Sequence, residues 1–217
     1  ALVKSIPDVH AVEPATTRLR DDMLDGVRFL RDNAVLRRLT FILAALNFFY
    51  FASGALLVLY TSDFLKSSNI TFTALSIGSA VGTILSRFFV SRISSRYGST
   101  ATITLSLWVW AISAVGIAVT SSKYVAVIMF VLMGVGNGLW IIINTTLRQQ
   151  LTPARMLGRM NAAFRTVSWG VVPFGAAFGG VCARYFGLRG PFIIFAVVMV
   201  GYAVFAKPIL RPLTKSL

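Results

Sequence analysis

Residues 132–160 read LMGVGNGLWIIINTTLRQQLTPARMLGRM. The first part of this stretch is apolar enough to sit in lipid, yet it carries Asn137, Asn144, Thr145 and Thr146. On a helix, residues seven apart lie on nearly one face, so Asn137 and Asn144 share a stripe with Ile141 between them. Gly134 and Gly138, four apart, leave a flat groove where a second helix can approach closely. The apolar run stops at Arg148; a basic loop follows, with Pro153 as its breaker and Gly158 near the next helix start. A membrane helix with a polar stripe that ends in a positive loop implies a bundle surrounding a polar path.

The composition sets the class. Of 217 residues, 56% are hydrophobic and only 13% are charged, against about 25% charged in a soluble globular chain. Lipid tolerates only helices or closed barrels. The apolar runs are close to membrane length and do not alternate, which disfavours a barrel. The expected fold is an all-α polytopic membrane protein. The formal charge of +14 raises nucleic acid as a partner, but most of the positive residues flank apolar runs, as lipid topology requires. Cys182 and His10 are each the sole residue of their kind, so neither an intrachain disulfide nor a metal site is expected, and no cofactor is implied. The chain starts with Ala and shows no cleavable signal peptide, which suggests a piece of something longer.

Residues 1–37 differ from the remainder. They hold Asp8, Glu13, Asp21, Asp22, Asp25 and Asp32, leaving only Asp63 for the rest of the chain. Within them, Thr17 to Arg38 reads as an amphipathic helix with Leu19, Met23, Val27 and Leu30 on one side. Its arginines Arg28, Arg31, Arg37 and Arg38 suit an anionic membrane surface, with a solvated helix as the alternative, and residues 1–37 as a whole read as a cytoplasmic linker. Residues 38–217 then read as a six-helix bundle with apolar segments near 39–60, 72–90, 101–120, 124–147, 161–183 and 191–208. Each is about long enough for a hydrocarbon core of roughly 30 Å. With the N-terminus inside, all of the 21 basic residues except Lys66, Lys123, Arg184 and Arg189 fall on the inner side. That bias predicts both termini in the cytoplasm and an even number of crossings.

An internal echo is visible. Arg96-Tyr97-Gly98 follows the second segment, and Arg184-Tyr185-Phe186-Gly187 follows the fifth. The second segment carries Gly78 and Gly82, and the fifth carries Gly175 and Gly179. Two three-helix units of inverted topology would produce this pattern.

The charged preamble GVRFLRDNAVLRRLT, the basic link SRISSRYGS and the run WIIINTTLRQQLTPARMLGRMNAAFRTVSWG together resemble the C-terminal six-helix half of a major facilitator superfamily transporter. The similarity is to the bacterial branch that includes the enterobactin exporter, macrolide efflux pumps and lysophospholipid transporters, and it extends over nearly the whole chain. The link after the second segment is similar to the family's gating motif, Gly-x-Leu-Ala-Asp-Arg-x-Gly-Arg-Arg. Arg96 and Gly98 match its Arg and second Gly, Ile93 stands at the Leu position, and Arg92 adds charge. Ser91 and Ser95 replace the first Gly and the Asp, and Ser99 and Thr100 replace the trailing basic pair. A charge relay through that motif is therefore not expected. Arg96 near a helix end serves either as a positive anchor or as a gate bonded to carbonyls or lipid phosphate.

The resemblance implies that the first and fourth helices face a central path, with the second and fifth beside them. The path candidates are then Asn47, Tyr50 and Phe51 on the first, Asn137, Trp140, Ile141 and Asn144 on the fourth, and Ser168, Trp169 and Phe174 on the fifth, where Pro173 would kink the helix. Amides with aromatics can hold an amphipathic or aromatic ligand by bonding and stacking; each amide alone can equally bond a neighbouring helix. The six paired glycines Gly78, Gly82, Gly134, Gly138, Gly175 and Gly179 are helix-packing candidates. Gly134 to Gly138 lacks the strand and lysine of a phosphate-binding loop. No enzyme motif stands out. The expected function is half of a secondary transporter in the bacterial inner membrane, exporting hydrophobic drug-like or siderophore-like small molecules beside an N-terminal six-helix half. A lysophospholipid flippase or a non-transporting membrane scaffold are the alternatives. No Asp, Glu or His lies inside the six segments, so a proton carrier is expected in the partner half.

Overall fold

The computed structural model describes residues 19–65 and 69–206, and these are helical with no strand among them. The order is α1 (Leu19–Asp32), α2 (Ala34–Gly54), a single turn α3 (Leu57–Leu59) running into a π-turn (Tyr60–Phe64), α4 (Asn69–Val119), α5 (Lys123–Leu151), α6 (Leu157–Gly170), α7 (Val172–Phe186) and α8 (Gly190–Val204). Four stretches are long and apolar enough to cross a membrane: Ala34–Gly54, Ile70–Val119, Lys123–Leu151 and Ala154–Phe186, with Gly190–Val204 as a shorter apolar helix. Large apolar side chains are exposed around the outside, among them Phe88, Ile112, Phe174 and Val197, each more than half exposed. Such a surface suits lipid and would be a liability in water.

The preamble helix is shorter than its periodicity suggests. It ends at Asp32, because the Asn33 side chain accepts hydrogen bonds from Val35 N and Leu36 N, both at 3.1 Å, and so caps a new helix. Arg37 and Arg38 therefore belong to the membrane helix α2. Nor does α1 rest on Val27, which is exposed, while the side chains of Leu19 and Met23 lie outside the described residues. The helix instead docks on α6 through Gly26, where a Cβ would overlap the Arg159 carbonyl. Leu30 joins Leu36, Met160 and Phe164 in a small buried cluster there, and Asp25 pairs with Arg159 at 3.4 Å.

The link SRISSRYGS is helical apart from one residue. Gly98 has φ 81 and ψ 169, a conformation that L side chains rarely adopt. There α4 turns back on itself, and both of its arms lie along α5. Residues 69–97 run parallel to α5: a Cβ on Gly82 would strike the Val131 carbonyl, one on Gly134 the Ser79 carbonyl, and one on Gly138 Ser86 Oγ. Thr83 Oγ1 also donates to the Gly134 carbonyl at 3.1 Å. Residues 99–119 run antiparallel, with Trp110 Nε1 donating to the Met133 carbonyl at 3.0 Å and Gly116 facing Met129.

The second close pairing joins α2 and α7. A Cβ on Gly175 would overlap the Phe48 carbonyl and one on Gly179 the Ala52 carbonyl. The break between α6 and α7 falls at Val171, two residues before Pro173, whose missing N–H and ring cannot continue the helix ladder. Gly187 ends α7 with φ 73 and ψ 173, nearly the conformation of Gly98. At the other end of the bundle Tyr60 is fully buried on Phe192, with ring centroids 4.5 Å apart, and donates to the Ile117 carbonyl at 2.8 Å. Arg189 donates to the Thr120 carbonyl at 3.2 Å, covering the C-terminal carbonyls of α4.

Candidate functional site

The helix α5 continues past Arg148, which is therefore a helix residue and not the start of a loop. It stops after Leu151, because Pro153 holds Thr152 in an extended conformation, φ −117 and ψ 123. The stripe Asn137, Ile141, Asn144, Arg148 thus stays on one face over three turns. That face lines an open-sided cavity of about 590 Å³, bordered also by α2, α6 and parts of α4 and α8.

Of the residues proposed for the path, Asn47, Tyr50, Phe51, Asn137, Trp140, Ile141, Asn144 and Trp169 border this cavity. Ser168 and Phe174 do not: Phe174 is exposed, and Ser168 is fully buried, its carbonyl accepting a hydrogen bond from Asn47 Nδ2 at 2.7 Å. Asn47 therefore acts partly as a clasp between α2 and α6. Asn144 is different. It is 3% exposed, and neither its amide nitrogen nor its oxygen finds a partner among the described residues. Trp140 Nε1 is buried and unpartnered in the same way. A buried polar group without a partner is costly, and such groups in native folds call for a reason.

The cavity has two ends. Towards the middle of the bundle it is aromatic: Phe51 lies 6.1 Å from Trp169, Tyr50 lies 6.1 Å from Phe195, and Trp110 lies 6.0 Å from Trp140, all as ring centroids. Towards the C-terminal end of α5 it is polar, with Thr145, Arg148, Gln149, Asn161 and Arg165 on its wall. Arg148 is held from two sides. Its guanidinium stacks 4.0 Å over the Phe164 ring, and it donates to Asn161 Oδ1 at 3.1 Å. Asn161, Phe164 and Arg165 line the cavity although none of them is among the path residues expected from the sequence. A signal was present in the spacing: Asn161, Phe164 and Arg165 recur at helical intervals at the start of α6.

The residues that resemble a gating motif lie elsewhere. Arg92 and Arg96 are exposed on the 69–97 arm, and Arg96 reaches over the Tyr97 ring at 5.4 Å. Among the described residues, no three His, Cys, Asp or Glu side chains come together where a metal ion could be held. No curated protein matches the chain. The family described as transmembrane secretion effector matches residues 1–215, and this chain belongs to that family of major facilitator-type transporters.

Proposed function

We propose that this chain is one half of a secondary transporter that exports hydrophobic, drug-like or siderophore-like molecules from a bacterial cytoplasm by alternating access. The carrying observation is the cavity, walled by amides and aromatics between two glycine-packed helix pairs. A size of about 590 Å³ suits a drug-sized ligand. The other wall would come from an N-terminal six-helix half in the same gene or in a partner chain. The two halves would rock about a site near the bilayer midplane.

Six crossings fit these helices better than four. The 50 residues of Ile70–Val119 would span about 75 Å if straight, against a core of about 30 Å. Gly98 divides them into two crossings, and Gly190–Val204 with its flanks supplies the last. Two inverted three-helix units explain why Gly98 and Gly187 share a rare conformation. They also explain the matched pairings: Gly78 and Gly82 on Val127 and Val131, Gly175 and Gly179 on Phe48 and Ala52. The basic residues then put both termini on the cytoplasmic side of the inner membrane. No acidic residue follows Asp63 in the sequence, so proton coupling, if used, resides in the partner half.

The test is drug accumulation in cells. Asn137→Ala combined with Asn144→Ala should abolish export while membrane insertion and yield stay intact. Accumulation unchanged from the wild type would sink the reading.

A further inference from the structure

The cavity carries positive charge that none of the described lining residues balances. Arg148 and Arg165 both border it, and among the described residues no carboxylate does. The acidic residues are Asp63, in the π-turn after α3, and six others that precede Asn33 in the sequence. Structural arginines inside a membrane bundle are normally paired, because an unbalanced charge in a low-dielectric space is costly. Here the neighbours of Arg148 are an aromatic face and two neutral oxygens, Asn161 Oδ1 at 3.1 Å and Thr145 Oγ1 at 3.4 Å. Its Nε is buried and without a partner among the described residues. One helical turn away on the same face, the Asn144 amide is unpartnered at both atoms and 3% exposed. Donors converge at this end, and the opposite end is aromatic.

We infer that the cavity selects amphipathic anions, with the negative head (carboxylate, phosphate or sulfate) held by Arg148, Arg165 and Asn144 and the apolar body lying among Tyr50, Phe51 and Trp169. The guanidinium fork matches the oxygens of such a head, and charge-assisted bonds are the strong kind. Phe164 and Asn161 fix the fork before the ligand arrives, which lowers the ordering cost of binding. This inference rests on the transport reading for its physiological sense, but binding and flux are separable. A single-tailed lipid and an aromatic acid share this chemistry, and they differ only in the body that meets the aromatic end.

The experiment uses the intact protein that carries this chain, in nanodiscs of phosphatidylcholine. Quenching of tryptophan fluorescence is read, because Trp110, Trp140 and Trp169 border the cavity. Dodecyl phosphate, dodecyltrimethylammonium and neutral dodecyl maltoside form one matched series; 2-naphthoate and naphthylmethylammonium form a second. The anion of at least one series should bind about 10-fold or more tighter than its cation. Arg148→Gln should remove most of that preference without weakening the neutral probe, and Arg148→Lys should keep part of it. A preference confined to the alkyl series identifies a lipid-derived ligand, and one confined to the naphthyl series an aromatic acid. Equal or tighter binding of the cations in the wild-type protein overturns the inference, and that arm needs no variant to fold. So does an Arg148→Gln protein that weakens every probe alike. Charge-blind export of hydrophobic dyes would leave the transport reading standing and remove this one. Anion binding without any flux would do the opposite.

Discussion

Two faces of α5 are built to different rules. The face towards α4 carries Gly134 and Gly138, and its contacts are backbone against backbone, with Thr83 and Trp110 hydroxyl and indole groups bonded to main-chain carbonyls. The face towards the cavity carries Asn137, Asn144 and Arg148, and there buried polar atoms go without partners. The first face is closed and satisfied; the second is open and unsatisfied. A single membrane helix thus serves fold and function on separate faces. Small residues permit close approach on one side, where lipid gives no hydrophobic drive towards association, and the costly polar groups are confined to the other.

That contrast can be broken first at the packing faces. Gly179 and Gly180 are neighbours on α7, but a Cβ on Gly179 would overlap the Ala52 carbonyl, while one on Gly180 meets nothing within 4 Å. Gly179→Ala should destabilise the protein by about 2–3 kcal/mol, since backbone cannot yield as a side chain can. Gly180→Ala should be neutral or stabilising by up to about 1 kcal/mol, from helix propensity alone. Thermal unfolding in detergent measures both. Equal effects would mean that the helices do not approach at this point.

On the cavity face the effect should move from stability to activity. Asn144→Leu removes a buried amide that has no partner, so the protein should keep its melting temperature or gain slightly. Export should fall by about 10-fold or more if a bound ligand is what satisfies the amide. A large loss of stability would show that Asn144 is a structural bond after all, as Asn47 is towards Ser168. Trp110→Phe deletes one bond between helices on the closed face. A cost of about 0.6–1.5 kcal/mol is expected from such bonds in membranes, with export kept. The smallest effect belongs to the rim. Asp25→Asn breaks a partly exposed pair with Arg159, and its cost should stay below about 1 kcal/mol and shrink as salt is raised.

The closed face was legible in the sequence because glycines at four-residue spacing have few other uses in an apolar run. The polar stripe of Asn137, Ile141 and Asn144 was legible for the same periodic reason. What the sequence hid was the depth of charge. Arg148 reads as the first residue outside lipid, since a charge usually ends an apolar run; Asn161 and Phe164 bring it into the cavity wall, and they come from another helix. The docking of α1 was hidden because Gly26 has no apolar side chain to signal a contact. Its match with the Arg159 carbonyl depends on the path of α6. The link through Arg92 and Arg96 stands out in the sequence only as a basic connection between two apolar segments, and charge alone does not show that the helix continues through it. Only Gly98 leaves the helix there.

The central claim is that the amide face of α5 looks onto a path open to polar molecules, while other exposed faces meet lipid. Cysteine accessibility tests it directly. With Cys182 replaced by Ser, Asn137→Cys and Ile141→Cys should react in intact membranes with a small, charged, hydrophilic thiol reagent. Ile112→Cys, on an exposed face of α4 away from the cavity, should react at least about 10-fold more slowly, because thiolate forms poorly in lipid. Fast labelling at Ile112→Cys with none at Asn137→Cys and Ile141→Cys would contradict the account.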